Sequence, residues 1–143
     1  MVRQAVFNML GTRIVDAAVL DPFAGTGAFA AEALSRCAAH VVANDMDPHA
    51  ATIIRKNLHG LGNSTVYNMD FRTLLEKLGA KYDVIFLDPP YDTDFGTVAI
   101  EIIKRRGLLA PDGIIVLECE HEIPGALKTK SYGRTKVHLL RPD

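Results

Sequence analysis

Ala17-Ala18-Val19-Leu20-Asp21-Pro22-Phe23-Ala24-Gly25-Thr26-Gly27 leads from a short apolar run through a proline- and glycine-bearing loop into an Ala- and Leu-rich stretch from about Ala28 to Cys37. An apolar run punctuated in this way and followed by strong helix formers reads as a strand, a loop and a helix. The two glycines let backbone come close to a ligand, and amides at a helix start can receive a carboxylate or phosphate. The loop is not a full dinucleotide fingerprint, because Ala30 stands where the third glycine would be. Nor is it a Walker loop, since no Gly-Lys-Ser/Thr follows.

The same alternation continues on both sides of this unit. Upstream, Val6 and Leu10 lie four apart beside Phe7, which suits a helix over Val2 to Leu10. Downstream, Val41 to Ala43 reads as a second strand. Asp47-Pro48 then caps a helix running to about His59, where Gly60 stops it. Thr65 to Tyr67 is a third strand, Asp70 opens a short helix through Leu78, and Val84 to Leu87 is a fourth strand. From Phe95 to Arg106 the pairs Val98/Ile102 and Ala99/Ile103 give an apolar helical stripe. Pro111-Asp112-Gly113 reads as the turn into a fifth strand, Ile114 to Leu117. Tyr132-Gly133-Arg134, between two extended runs, reads as the turn of an antiparallel hairpin that closes the sheet. Strands alternating with helices make an α/β fold with a mostly parallel sheet, and residues 1–143 read as one domain.

Composition narrows the class. With 143 residues, 48% of them apolar, and two cysteines, the chain is neither disordered nor a disulfide-stapled mini-protein. No apolar run reaches the roughly 18 residues of a membrane span, and Met1 to Gln4 lacks a signal-peptide core, so a cytoplasmic location is expected. Cys37 and Cys119 form no C-x-x-C pair. The five histidines, including His138, lack zinc-ligand spacing and read as surface or boundary residues, so no metal is expected. The net charge of -1 hides basic ends: residues 124–143 carry +4, residues 1–13 carry +2 and the middle carries -7. Such ends could meet phosphates, although charge alone fits a solvated hairpin equally well.

Chemically unusual residues gather where strands end. In an open α/β sheet ligands bind outside the carboxyl ends of the strands, the edge reached by Asp21, Asp45, Asp70 and Asp88. Asp45, twenty residues beyond Gly25, suits the hydroxyls of a ribose. Asp70 can meet an adenine amine or cap the helix behind it, with neither reading preferred. Asp88-Pro89-Pro90-Tyr91 is the most informative. Its two prolines remove backbone donors, so the Asp carboxylate and neighbouring carbonyls form a stiff acceptor array suited to an exocyclic amine. Tyr91 adds a face on which a planar base can stack.

These residues carry a resemblance. Val2-Arg3-Gln4-Ala5-Val6-Phe7-Asn8-Met9-Leu10, Leu20 through Gly27, Glu32-Ala33-Leu34-Ser35-Arg36 and Asp88 through Tyr91 together resemble the class I S-adenosylmethionine-dependent methyltransferases, in the branch of bacterial 16S ribosomal RNA guanine-N2 methyltransferases. The resemblance implies a three-layer α/β/α Rossmann-like methyltransferase fold, with a mostly parallel seven-stranded sheet ending in an antiparallel hairpin. It implies S-adenosylmethionine as cofactor, held by Asp21, Phe23, Gly25, Gly27, Asp45, Met46, Asp70 and Phe71. It gives Asp88, Pro89, Pro90 and Tyr91 the catalytic role of holding the target guanine. The implied partner is ribosomal RNA or the small-subunit particle; neither membrane nor metal is expected, and the sequence leaves the oligomeric state open, a monomer being the expectation. The family's usual basic, glycine-rich amino-terminal segment is not in this sequence, and Gln4 stands where the family usually has Glu.

Two further readings remain open at the level of sequence. An acceptor array recognises an amine, not one base, so an adenine-N6 or other amino methyltransferase acting on DNA or protein fits the same residues. A cofactor-binding domain that is inactive without a further RNA-holding segment also fits. A nicotinamide-dependent oxidoreductase fits less well, because Asp88-Pro89-Pro90-Tyr91 has no role in hydride transfer.

Overall fold

The computed structural model describes residues 2–142; Met1 and Asp143, the latter counted in the charge of the tail, lie outside the described residues. Helix α1 (Val2–Leu10) and a 3-10 turn (Gly11–Ile14) precede β1 (Ala18–Asp21), α2 (Ala28–Ser35), β2 (His40–Asn44) and α3 (Pro48–Leu58). They are followed by β3 (Ser64–Tyr67), α4 (Phe71–Lys77), β4 (Tyr82–Leu87), α5 (Phe95–Arg106), β5 (Leu109–Cys119), β6 (Lys128–Tyr132) and β7 (Thr135–Leu140). All seven strands form one sheet in the order β3-β2-β1-β4-β5-β7-β6, parallel except for β7, which runs antiparallel to both β5 and β6. This is the three-layer Rossmann-like methyltransferase architecture.

Period-two alternation along the strands divides the core. Val19, Val41, Ala43, Val84, Phe86, Ile114 and Val116 face one layer, where they pack with Val6 and Phe7 of α1, Ala30 and Leu34 of α2 and Ile54 and Leu58 of α3. Leu20, Val42, Ile85, Leu87, Ile115 and Leu117 face the other, against Leu74 and Leu75 of α4 and Ala99, Ile102 and Ile103 of α5. Both faces being covered, the central strands are apolar throughout. The chain order reverses between β1 and β4, which pair through Val19–Val84 and Leu20–Ile85. A crevice opens at such a switch point, at the carboxyl ends of the two strands.

Three expectations change. Pro111-Asp112-Gly113 is not a turn before a strand but a bulge inside β5, where pairing jumps from Tyr82–Leu109 to Val84–Ile114. Proline has no N–H for the ladder and therefore sits where pairing is interrupted. A Cβ on Gly113 would lie 2.9 Å from the Ala110 carbonyl oxygen, a backbone atom that cannot easily give way, so glycine lets the bulge fold back this tightly. Helix α2 stops at Ser35, two residues early, because Cys37 adopts φ 72°. His138 is fully buried, since β7 lies between β5 and β6 instead of at the edge of the sheet. Its Nε2–H donates to the His121 carbonyl at 2.9 Å, which leaves Nδ1 to accept the Thr129 hydroxyl at 2.8 Å. Among the described residues, no helix is long and apolar enough to cross a membrane.

Candidate active site

The loop after β1 is set by its glycines. Gly27 takes φ 82° at the N-cap of α2, where a Cβ would press on Ile54 at 3.4 Å. Gly25 takes φ 61°, and nothing lies within 4 Å of where its Cβ would be, so open space adjoins the backbone there. The carboxylate of Asp45 accepts the Gly25 amide through Oδ2 at 3.0 Å and the Asp47 amide through Oδ1 at 3.0 Å. Two lone-pair directions of that carboxylate remain for a ligand. Asp47 in turn caps α3 by accepting the His49 amide, with Pro48 at the first helical position.

Asn44, at the end of β2, is 1% exposed and holds three loops together. Its Nδ2 donates to the carbonyls of Pro22 and Met69 at 3.1 and 2.9 Å, and its Oδ1 accepts the Met69 amide at 3.1 Å. Asp70 is the N-cap of α4, accepting the Arg72 amide, and its two oxygens also receive the Arg72 guanidinium at 3.0 and 2.8 Å. That side-chain hydrogen bond is the main reason its carboxyl lies below the usual range.

These loops enclose a cavity of about 300 Å³ at the switch point. Phe23, Gly25, Asp45, Met46, Asp70 and Phe71 line it together with Pro22, Asn44 and Phe95, and Asp88 and Pro90 close one side. The rings of Phe23, Phe71 and Phe95 make an aromatic wall, with centroids 4.8 Å apart for Phe23–Phe71 and 5.0 Å for Phe71–Phe95. Asp21 and Gly27 are not on the wall. Gly27 shapes the helix start, and Asp21 is 2% exposed, with Oδ2 lacking any hydrogen-bond partner.

A second cavity of about 190 Å³ lies on the opposite side of Asp88-Pro89-Pro90-Tyr91 and is lined also by Gly96, Leu117, Glu118, His121 and Thr135. Asp88 and Pro90 border both cavities, so this segment is the partition between them. Gly96 lets α5 approach it, because a Cβ there would meet Pro89 Cγ at 3.4 Å and Leu117 Cδ1 at 3.3 Å. Thr93 Oγ1 donates to the Pro90 carbonyl at 2.8 Å. No donor among the described residues reaches the Pro89 carbonyl. Tyr91 is 71% exposed, which leaves its ring face available.

Carboxyl groups converge beneath the partition. Burial, then the negative charges of Asp88, Asp45 and Glu118, push the Asp21 carboxyl up from 3.8 to about 8. Glu118, beside Asp88 because Leu87 pairs with Leu117, is pushed from 4.5 to about 7 by burial and by Asp88. Burial also raises Asp88, against the lowering effect of its hydrogen bond with Glu118. The sequence reading missed Glu118, Asn44 and Phe95. The available signal for Glu118 was an acidic residue at the carboxyl end of the strand after the Asp-Pro-Pro-Tyr segment. Among the described residues, no group of three or more His, Cys, Asp or Glu is arranged to hold a metal ion.

Comparison with known proteins places this geometry. The model of the family described as conserved hypothetical protein 95 matches residues 1–141. The chain is 37% identical over 140 residues to the ribosomal RNA small subunit methyltransferase D of Escherichia coli K12, covering 95% of this chain and 71% of the relative. The solved structure of E. coli yhhF superposes with a TM-score of 0.89 at 34% identity, covering 96% of this chain and 83% of that one. The tRNA m1G37 methyltransferase of M. jannaschii superposes with a TM-score of 0.63 at 20% identity over 96% of this chain and 46% of that one, a likeness of fold alone. The chain therefore belongs to the conserved hypothetical protein 95 family, as a relative of ribosomal RNA small subunit methyltransferase D.

Proposed function

We propose that this protein transfers a methyl group from S-adenosylmethionine to the exocyclic N2 amine of a guanine in 16S ribosomal RNA. The observation that carries this reading is the partition: a rigid acceptor segment, Asp88 to Tyr91, stands between a cofactor-sized cavity and a second cavity open to a base. The name of the E. coli relative supports ribosomal RNA as the substrate.

The residues of the larger cavity fit S-adenosylmethionine. Asp45 offers two acceptor directions to ribose hydroxyls, and the aromatic wall of Phe23, Phe71 and Phe95 offers apolar surface to the adenine. The open backbone at Gly25 suits the methionine part. Asp45, Asp70 and Asp88 line the cavity, an acidic wall that suits a cationic ligand. When bound, S-adenosylmethionine supplies a methyl group on a positively charged sulfur, a leaving group that departs as a neutral thioether.

The chain's own contribution is orientation and charge. Asp88 and the Pro89 carbonyl accept the two N–H groups of the amine, which turns the nitrogen lone pair through the partition toward the cofactor side. Tyr91 stacks on the base and fixes its plane. The nitrogen becomes acidic only as it gains the methyl group, and Asp88 is placed to take the proton it then sheds. Its carboxyl, raised by burial, binds that proton more readily than an exposed aspartate would.

The test is transfer of labelled methyl from S-adenosylmethionine to protein-depleted 16S ribosomal RNA and to small-subunit particles, with nucleoside analysis of the product. Label on guanine N2 is the expected result. Tight cofactor binding with label on neither RNA, or on another base, overturns the reading.

A further inference from the structure

The cavity beyond the partition has two acidic walls. Asp88 follows the last residue of β4 and Glu118 lies near the end of β5, brought side by side by the Leu87–Leu117 pairing. Glu118 Oε1 is buried and has no hydrogen-bond partner. Two neighbouring carboxylates cannot satisfy one another without a proton, because each is only an acceptor. An unsatisfied buried acceptor on a residue that lines a cavity calls for a ligand with a donor there.

We propose that Glu118 is a specificity-determining residue which, with Asp88, reads the Watson–Crick edge of the target guanine: Asp88 accepts from N2–H and Glu118 accepts from N1–H. The inference rests on the methyl-transfer reading above and deepens it. Guanine alone among the four bases carries a ring N–H next to an exocyclic amine. Adenine and cytosine put an acceptor nitrogen beside theirs, which would face a buried carboxylate with no proton between them. Two acceptors side by side therefore admit guanine and reject the other amino bases, a selection that the Asp-Pro-Pro-Tyr segment alone does not make. The cavity, about 190 Å³, admits one planar base, so the guanine must leave its stack to enter.

The decisive substrate is RNA in which the mapped target guanine is replaced by 2-aminopurine, which keeps the N2 amine but has an unprotonated N1. Labelled transfer to natural and substituted RNA is compared for the wild type, Glu118→Gln and Glu118→Ala, with S-adenosylmethionine affinity measured by calorimetry on each protein. The wild type should prefer guanine by about tenfold or more, the scale of one well-placed base contact. Glu118→Gln, whose amide N–H can donate to the bare N1, should lose that preference or invert it, while its cofactor Kd stays within about twofold. Glu118→Ala, with neither donor nor acceptor, should lose the preference without gaining on 2-aminopurine. If both variants keep the wild-type preference, Glu118 does not read N1. If the wild type transfers to no guanine at all, the methyl-transfer reading fails and the recognition role falls with it.

Discussion

Asp45 Oδ2 accepts the Gly25 amide at 3.0 Å, so the acid that follows β2 and the glycine loop after β1 are one rigid unit. Replacing Asp45 with alanine removes the proposed ribose acceptors and the brace on the loop together. Hydrogen bonds to a charged group contribute about 1.5–3 kcal/mol each. Asp45→Ala should therefore weaken S-adenosylmethionine binding by roughly 10- to 100-fold in calorimetry. Asp45→Asn keeps one acceptor for Gly25 and should weaken it less. An unchanged dissociation constant for both variants removes Asp45 from the cofactor site.

Asp88 borders both cavities, and its main work is proposed to lie on the amine side. Asp88→Ala should lower the methyl-transfer rate by about 100-fold or more, the cost of removing one preorganised group from a transition state. Cofactor affinity should change by no more than about threefold, since Asp45, Phe23 and Phe71 keep their contacts with the larger cavity. Single-turnover assays with labelled cofactor separate the two quantities. A large loss of binding with normal transfer at saturation would move Asp88 from the amine to the cofactor.

Much of this architecture is legible in the sequence, because each unit carries its own local signals. Asp47-Pro48 caps α3 where the residues indicate, and Gly133-Arg134 joins β6 to β7 with Tyr132 paired to Thr135. What was not legible depends on neighbours distant in sequence. Glu118 matters because β5 pairs with β4, a register that no local pattern reveals. Phe95 joins the larger cavity through packing on Phe71 and Phe23, both distant in sequence. Pro111-Asp112-Gly113 has the composition of a turn, and only its position between two paired segments makes it a bulge. Asp70, readable from sequence as a cap or an adenine contact, is a cap that also lines the cavity, with both oxygens held by Arg72.

Asn44 shows how a polar residue can hold the floor of a site. Its amide joins Pro22 after β1 and Met69 after β3, and the side chain is buried with its hydrogen bonds satisfied. Asn44→Leu strands the carbonyls of Pro22 and Met69 and the Met69 amide. An unsatisfied buried group costs about 1–3 kcal/mol, so the variant should lose about 2–4 kcal/mol of stability in urea unfolding. The loss should be accompanied by weaker cofactor binding, because the loops it joins carry Phe23 and Asp70. A stability change below about 0.5 kcal/mol would mean that water replaces the side chain without penalty.

Asp21 reverses the usual pH dependence of a carboxylate. Its folded-state carboxyl is raised to about 8 from 3.8, so between those values the native protein holds a proton that the unfolded chain releases. The stability associated with that proton is fully present below about pH 4 and declines as pH rises toward 8. Glu118, raised to about 7, acts in the same direction, whereas Asp70, lowered by Arg72, already contributes fully across most of this range. The unliganded protein should therefore unfold at lower urea concentration at pH 8 than at pH 5.5, with the decline steepest in the lower part of that interval and levelling off toward pH 8. Asp21→Asn, neutral at every pH, should flatten the profile and be more stable than the wild type at pH 8. Parallel profiles for the two proteins would place the titration on Glu118 and Asp88 instead, and a Glu118→Gln profile would then be the one to flatten.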